Sequence, residues 1–180
     1  MAVLTTFFAV TWIVFWVYWM ISAAGAKKGT RPRLAVFPRL AIIALVILFE
    51  VVFKGHKRTV DNQVLHVMGL VLLLSGLGVA VWARVYLGRN WGMPMTRKDE
   101  PELVTTGPYQ LVRHPIYSGL LLAMLGTALA ITFYWFSALV VLGIYFIYSA
   151  TVEEKIMAAS FPGAYPSYRA KTKMLIPFVF

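Results

Sequence analysis

Cysteine is absent from the 180 residues, which excludes disulfides, thiolate metal sites and a thiol nucleophile. Acidic side chains are scarce: seven Asp and Glu stand against seventeen Lys and Arg, a net charge of +10. The three histidines, His56, His66 and His114, are scattered without ligand spacing, so no metal centre is expected. No Gly-x-Gly-x-x-Gly loop follows a strand pattern. Internal repeats and low-complexity tracts are missing too.

What is plentiful is apolar. Hydrophobic residues make up 60% of the chain and the mean hydropathy is +0.74, values that exclude a soluble domain and point to an integral membrane protein. In such a protein an excess of lysine and arginine serves orientation and anionic headgroups, so no nucleic-acid partner is inferred from the charge.

The apolar blocks predict about five transmembrane helices in one all-α membrane domain, 1–180. Residues 1–85 hold three spans, at 5–24, 34–53 and 64–85. Residues 86–180 hold a polar loop, a helical hairpin and a tail. No basic residue precedes the first block, and Trp12, Trp16, Tyr18 and Trp19 lie within it, the pattern of a retained helix rather than a signal peptide. Arg39 and Glu50 sit near the ends of the second span, where each either snorkels to the interface or serves function. In the third span, Gly69, Ser75, Gly76 and Gly78 suit close helix packing. The run 115–154 is too long for one crossing and reads as two short spans, with its tip at 131–137.

Five spans place the termini on opposite sides. With the N-terminus outside, fourteen basic residues fall on the cytoplasmic side: Lys27, Lys28, Arg31, Arg33, Arg39, Arg84, Arg89, Arg97, Lys98, Arg113, Lys155, Arg169, Lys171 and Lys173. Only Lys54, Lys57 and Arg58 fall outside. The positive-inside rule therefore predicts a cytoplasmic C-terminus, in a membrane of the prokaryotic inner type.

The stretch 103–119 concentrates the unusual chemistry. Gly107-Pro108 signals a turn, and His114-Pro115 opens a helix, because proline suits the first helical position. Arg113, His114 and Tyr117 then gather at an interface, beside a helix N-terminus that favours negative charge. On the same side, at the end of the last span, stand Glu153 and Glu154, followed by Tyr165, Tyr168, Arg169 and Lys171. A helical hairpin must bring the two clusters close. Cations, carboxylates and tyrosines at the mouth of an apolar bundle could hold a charged, zwitterionic cofactor while a lipid-like substrate enters from the bilayer. Read plainly, the same residues are interface anchors, and Glu153 a solvated helix-end residue.

Leu-Gly-Arg-Asn-Trp (87–91), Leu-Val-Thr-Thr-Gly-Pro-Tyr (103–109), Arg-His-Pro-Ile-Tyr-Ser-Gly (113–119) and Glu153-Glu154 resemble the isoprenylcysteine carboxyl methyltransferase family. So does the tail, Phe-Pro-Gly-Ala-Tyr-Pro-Ser-Tyr (161–168), closing in Ile176-Pro177. The resemblance covers about the last hundred residues; the first two spans carry no part of it. It implies S-adenosylmethionine-dependent methyl transfer in a membrane-embedded, non-Rossmann site, without a metal. Carried over, Tyr109, Arg113, His114, Pro115, Tyr117, Glu153 and Glu154 would form the cofactor pocket, with Glu154 facing the methionine ammonium. Arg169 and Glu154 would carry catalysis, and Arg89, Tyr165, Tyr168 and Lys171 would meet a lipophilic acceptor. That acceptor would be a prenylcysteine-like carboxylate, a lipid or a thiol. Lys171 departs from an arginine common among relatives; it keeps the charge and loses the planar fork that grips a carboxylate at two points. Two other readings stand beside this one: an NADPH-dependent membrane reductase of the steroid or sterol type, and a non-catalytic membrane scaffold.

Overall fold

The computed structural model describes residues 1–24, 29–30, 59–92 and 94–180. The expected second span, with Arg39 and Glu50, lies outside them, as do Lys27, Lys28, Arg31, Arg33, Lys54, Lys57 and Arg58. Among the described residues there are five α-helices: α1 Ala2–Ala23, α2 Gln63–Leu87, α3 Pro115–Ala130, α4 Trp135–Ser160 and α5 Ala164–Lys171. A two-residue antiparallel match joins β1 Gly29–Thr30 with β2 Arg97–Lys98. The all-α expectation holds.

Among the described residues, three helical stretches, Ala2–Ala23, Gln63–Asn90 and Trp135–Ser160, are long and apolar enough to cross a bilayer. The run after Pro115 breaks at 131–134, inside the expected tip, but the two pieces are unequal. α3 has 16 residues and rises about 24 Å, short of a hydrocarbon core of roughly 30 Å. α4 has 26 residues, because its helix continues through Glu153 and Glu154 to Ser160.

Helix α3 is the centre of the bundle. Eleven of its residues are buried, among them Gly119, Ala123, Gly126 and Ala130. It packs antiparallel against α2 through a seam of small residues that lets the two backbones touch. A Cβ added at Gly76 would lie 2.5 Å from the Gly119 carbonyl oxygen and 2.5 Å from the Ala123 nitrogen. Gly69 and Gly126 meet in the same way one layer further along. The seam thus uses positions 69, 73, 76 and 80, which share one helix face. Gly78 and Ser75 fall on the other face: Ser75 is exposed and Gly78 has open space around it, so two of the four expected packing positions do not pack.

The first helix leans on this pair. Phe8, Phe15 and Trp19 of α1 are buried, and the Trp12 indole N–H donates to Thr127 Oγ1 of α3 (3.1 Å). Away from these faces the surface is apolar, with Val10, Ile13, Val14, Val17, Val67, Val71, Val140 and Ile144 exposed, as lipid contact requires. At one end, Asn62 caps α2 by accepting from the Val64 and Leu65 amides (2.9 and 3.1 Å). The Val60 amide beside it donates to Ile131 (3.0 Å), joining the start of α2 to the end of α3. The opposite end carries the site: there the C-terminal ends of α1, α2 and α4 meet the N-terminal end of α3.

Candidate active site

Local sequence sets the frame of this end. Gly107 adopts φ +59, a conformation that glycine takes without strain, and its open Cα face lies against the Tyr86 ring. Pro108 and Pro115 are fully buried, and Pro115 starts α3 as its first helical residue, after His114. Beyond α5 the tail folds back alongside this segment. Val112 pairs with Lys173 in a parallel bridge, Arg113 N–H donates to the Lys173 carbonyl (2.8 Å) and His114 N–H to that of Met174 (3.1 Å). Ser118 Oγ donates to the Leu175 carbonyl (2.5 Å).

The two carboxylates of α4 reach into this frame. Glu154, with 6% of its side chain exposed, accepts from Arg113 Nε on Oε1 (2.6 Å) and pairs through Oε2 with Arg169 Nε (3.2 Å). Arg113, 9% exposed, also donates from Nη1 to the backbone carbonyls of Arg169 (3.3 Å) and Thr172. Glu153 accepts from the Tyr117 hydroxyl (2.6 Å) and from the Met95 backbone amide (2.9 Å) on Oε1. His114 stands between the carboxylates, its Nδ1 3.4 Å from Glu153 Oε2 and its Nε2 3.6 Å from Glu154 Oε1. The second distance is too long for a hydrogen bond, and Nε2 is buried without one. The imidazole, Tyr117 and Phe146 form a parallel stack, with centroids 5.5 and 4.5 Å apart and rings within 6° and 5°.

These surroundings set the protonation states. Burial works against the charged form of His114, but the neighbouring Glu153 and Glu154 carboxylates outweigh it and raise its pKa. The imidazolium is therefore favoured. Burial pushes the Tyr109 phenol well up, with the charges of Tyr168 and Glu153 adding to it. Tyr165 rises by burial and by the Glu154 charge. Tyr168 is pushed up to about 12, by burial first, against the opposing pull of Arg113. All three phenols stay neutral near neutral pH, and the Tyr168 hydroxyl donates to the Tyr109 carbonyl (2.6 Å).

The structure thus brings Tyr109, Arg113, His114, Pro115, Tyr117, Glu153, Glu154, Tyr165, Tyr168 and Arg169 to one end of the bundle. Tyr165 packs edge-on against Tyr168 (6.1 Å). Lys171 is exposed on α5, and Arg89 lines a separate hollow with Arg84 at the end of α2. Three participants escaped the sequence reading. Met95 (φ +62) acts through its backbone and leaves no side-chain signal. The carbonyl of Thr172 is equally silent. Phe146 was findable, since it lies seven and eight residues before the glutamates and so shares their helix face.

Comparison with known proteins gives this geometry a family. Residues 64–164, more than half of the chain, match the phospholipid methyltransferase family. The cobalt-zinc-cadmium resistance protein CzcN of Cupriavidus metallidurans is 30% identical over 151 residues, 82% of this chain and 65% of that protein. The chain thus spans a little under two thirds of that relative's length. Protein-S-isoprenylcysteine O-methyltransferase B of Arabidopsis thaliana is 29% identical over 175 residues, 88% of this chain and 84% of that one. A probable protein-S-isoprenylcysteine O-methyltransferase of Oryza sativa subsp. indica is 28% identical over 116 residues, 62% of this chain and 61% of that one. The matched segment starts with α2 and runs through the α3–α4 hairpin into the start of α5, and the chain belongs to the phospholipid methyltransferase family.

Proposed function

We propose that this protein is an S-adenosylmethionine-dependent methyltransferase acting on a lipophilic acceptor at the cytoplasmic face of the membrane. One observation carries the reading. In a chain of methyltransferase kinship, Glu153 and Glu154 converge with Arg113, His114 and Tyr117 at the mouth of an apolar bundle. Orientation rests on charge: every described lysine and arginine lies at the site end or in its loop and tail, with none in 1–24, 59–83 or 114–154.

The residues present fit such a cofactor. Two carboxylates at the positive end of α3 suit an ammonium or sulfonium, and the buried, unbonded His114 Nε2 is a polar atom held ready for a partner. When bound, the cofactor supplies an electrophilic methyl group on a sulfonium sulfur. The chain's own part is positioning and exclusion of water. Arg113 fixes the Glu154 carboxylate, Tyr117 fixes that of Glu153, and the stack of His114, Tyr117 and Phe146 walls one side. Arg169, 61% exposed on its side chain, is free to turn from Glu154 toward an anionic acceptor. The three phenols are held neutral and both carboxylates are already engaged, which suits an acceptor already nucleophilic as a carboxylate or thiolate.

Calorimetry with protein purified in a mild detergent tests this reading. Binding of S-adenosylmethionine is expected, weakened by about tenfold or more in Glu154→Gln, the loss of roughly one charged hydrogen bond. A folded sample that binds none overturns the proposal. Lipid extracts incubated with deuteromethyl-labelled cofactor should then yield a labelled product by mass spectrometry, which identifies the acceptor.

A further inference from the structure

Arg84 lies beside the cluster just described, within electrostatic reach of Tyr109 but bonded to neither glutamate. It lies in the last turn of α2 and is only 5% exposed. A buried guanidinium at the end of a membrane helix is costly unless compensated. Yet among the described residues no carboxylate pairs with it. Its Nη1 donates to the Gly88 carbonyl (2.6 Å) and its Nη2 to the Ser22 carbonyl of α1. Its charge rests over the Trp91 ring, 4.8 Å from the centroid. Of the donors a guanidinium carries, the Nε–H is buried and unpaired. Carbonyl dipoles and one aromatic face offset the charge only in part.

Beside it opens a hollow of about 250 Å³, lined by Tyr18, Ser22, Arg84, Val85, Gly88 and Arg89. Gly88, at φ +50, ends α2 and turns the chain, and Arg89, exposed, becomes the second cation of the rim. The space is large enough for a tetrahedral oxyanion and part of its hydration. Val85 is 64% exposed, so the hollow adjoins the lipid-facing side of α2 at the level where headgroups lie.

We propose that this hollow binds a phosphate oxyanion, borne by a phospholipid headgroup or free in solution. Two arginines line the space, Arg84 buried and Arg89 exposed, and each Arg84 Nη amino group spends one N–H on a backbone carbonyl and keeps a second. Arginine forks match phosphate oxygens geometrically and are weakly hydrated, so the match is cheap to form. Tyr18 at the rim adds an amphipathic side chain of the kind that sits at headgroup depth. The site does not depend on methyl transfer: Arg84 touches neither Glu153 nor Glu154.

Native mass spectrometry of delipidated protein in detergent tests it, with dioleoyl phosphatidylglycerol, dioleoylglycerol and inorganic phosphate as separate probes. Phosphatidylglycerol retained about tenfold over dioleoylglycerol, and not displaced by millimolar phosphate, supports a lipid source. Adducts with inorganic phosphate that displace the lipid support a free one. In either case Arg89→Gln and Arg84→Lys should weaken binding several-fold, while Lys155→Gln, an equal change of net charge elsewhere, should not. If Arg84→Lys fails to fold, the exposed Arg89→Gln decides alone. No preference for a phosphate-bearing probe, or equal losses in Arg89→Gln and Lys155→Gln, overturns the proposal.

Discussion

Replacing Gly76 with alanine would place a methyl carbon 2.5 Å from both the Gly119 carbonyl oxygen and the Ala123 nitrogen. Neither atom is the tip of a flexible side chain, so the two helices must part. Overpacking of this kind costs about 1–3 kcal/mol, against which alanine recovers about 0.5–1 kcal/mol of helix propensity over glycine. Gly78, two residues on in the same helix, has nothing within 4 Å of an added Cβ and gains the propensity alone. Gly76→Ala should therefore lower the thermal midpoint in detergent while Gly78→Ala raises it slightly. The displacement also reaches the site, because α3 carries Tyr117 while Glu153 belongs to α4. A misplacement of about 1 Å can cost a rate of order 100-fold, so Gly76→Ala should lose methyl transfer and Gly78→Ala should keep it. Equal midpoints for the two variants would refute the reasoning from backbone contact.

The two arginines on Glu154 should behave differently. Arg113→Gln leaves a buried carboxylate short of its main partner and should cost about 3–5 kcal/mol, whereas Arg169→Gln, at a side chain 61% exposed, should cost about 0.2–1 kcal/mol; denaturation of both variants against the wild type checks the order. His114 has its folded-state pKa raised above the unfolded value of about 6.5. Its stabilising contribution is thus complete below that value and is lost as pH rises through the folded one. The midpoint should fall over that window, and His114→Gln should flatten the profile. Tyr117→Phe keeps the ring stack but removes the 2.6 Å bond to Glu153; a loss of about 1.5–3 kcal/mol is expected for a bond to a charged group, read by the same denaturation and by cofactor calorimetry.

How much of this was legible in the chain depends on which atoms do the work. The spans were readable because hydropathy acts through side chains in long blocks, and α1 and α2 fall within three residues of the lengths read from them. The meeting of His114 with Glu154 followed from hairpin logic alone. The helix face of the α2–α3 seam was not resolved: Gly69 and Gly76 pack while Gly78 does not, a difference set by a partner helix that one helix's sequence does not contain. The length of α4 was misjudged because Glu153-Glu154-Lys155 reads as an end, yet their partners in α3 and the tail let the helix run through them. Contacts made by backbone, such as Met95 N–H on Glu153, have no residue signature at all. Nor did Arg84 stand out. Counted only as one more cytoplasmic cation, it proves to be buried, and burial is a property of packing.

The adjacency of Glu153 and Glu154 explains why the tail and the loop are held together. Successive residues on an α-helix point about 100° apart, so neighbouring carboxylates reach largely different partners. Glu153 turns toward Tyr117 and the loop at Met95, and Glu154 turns toward Arg113 and, through Arg169, toward α5. His114 lies between them and faces both. Three segments distant in sequence, the loop at Met95, 113–117 and the tail from Arg169, are thereby tied to one turn of α4. Loss of either carboxylate loosens one of the outer two, the loop with Glu153 or the tail with Glu154, while the other keeps its carboxylate. Gln variants at the two positions should accordingly differ in where hydrogen exchange quickens: around Met95 for Glu153→Gln, and around Arg169 to Met174 for Glu154→Gln. If both variants loosened the same segment, the division of labour between the two carboxylates would be wrong.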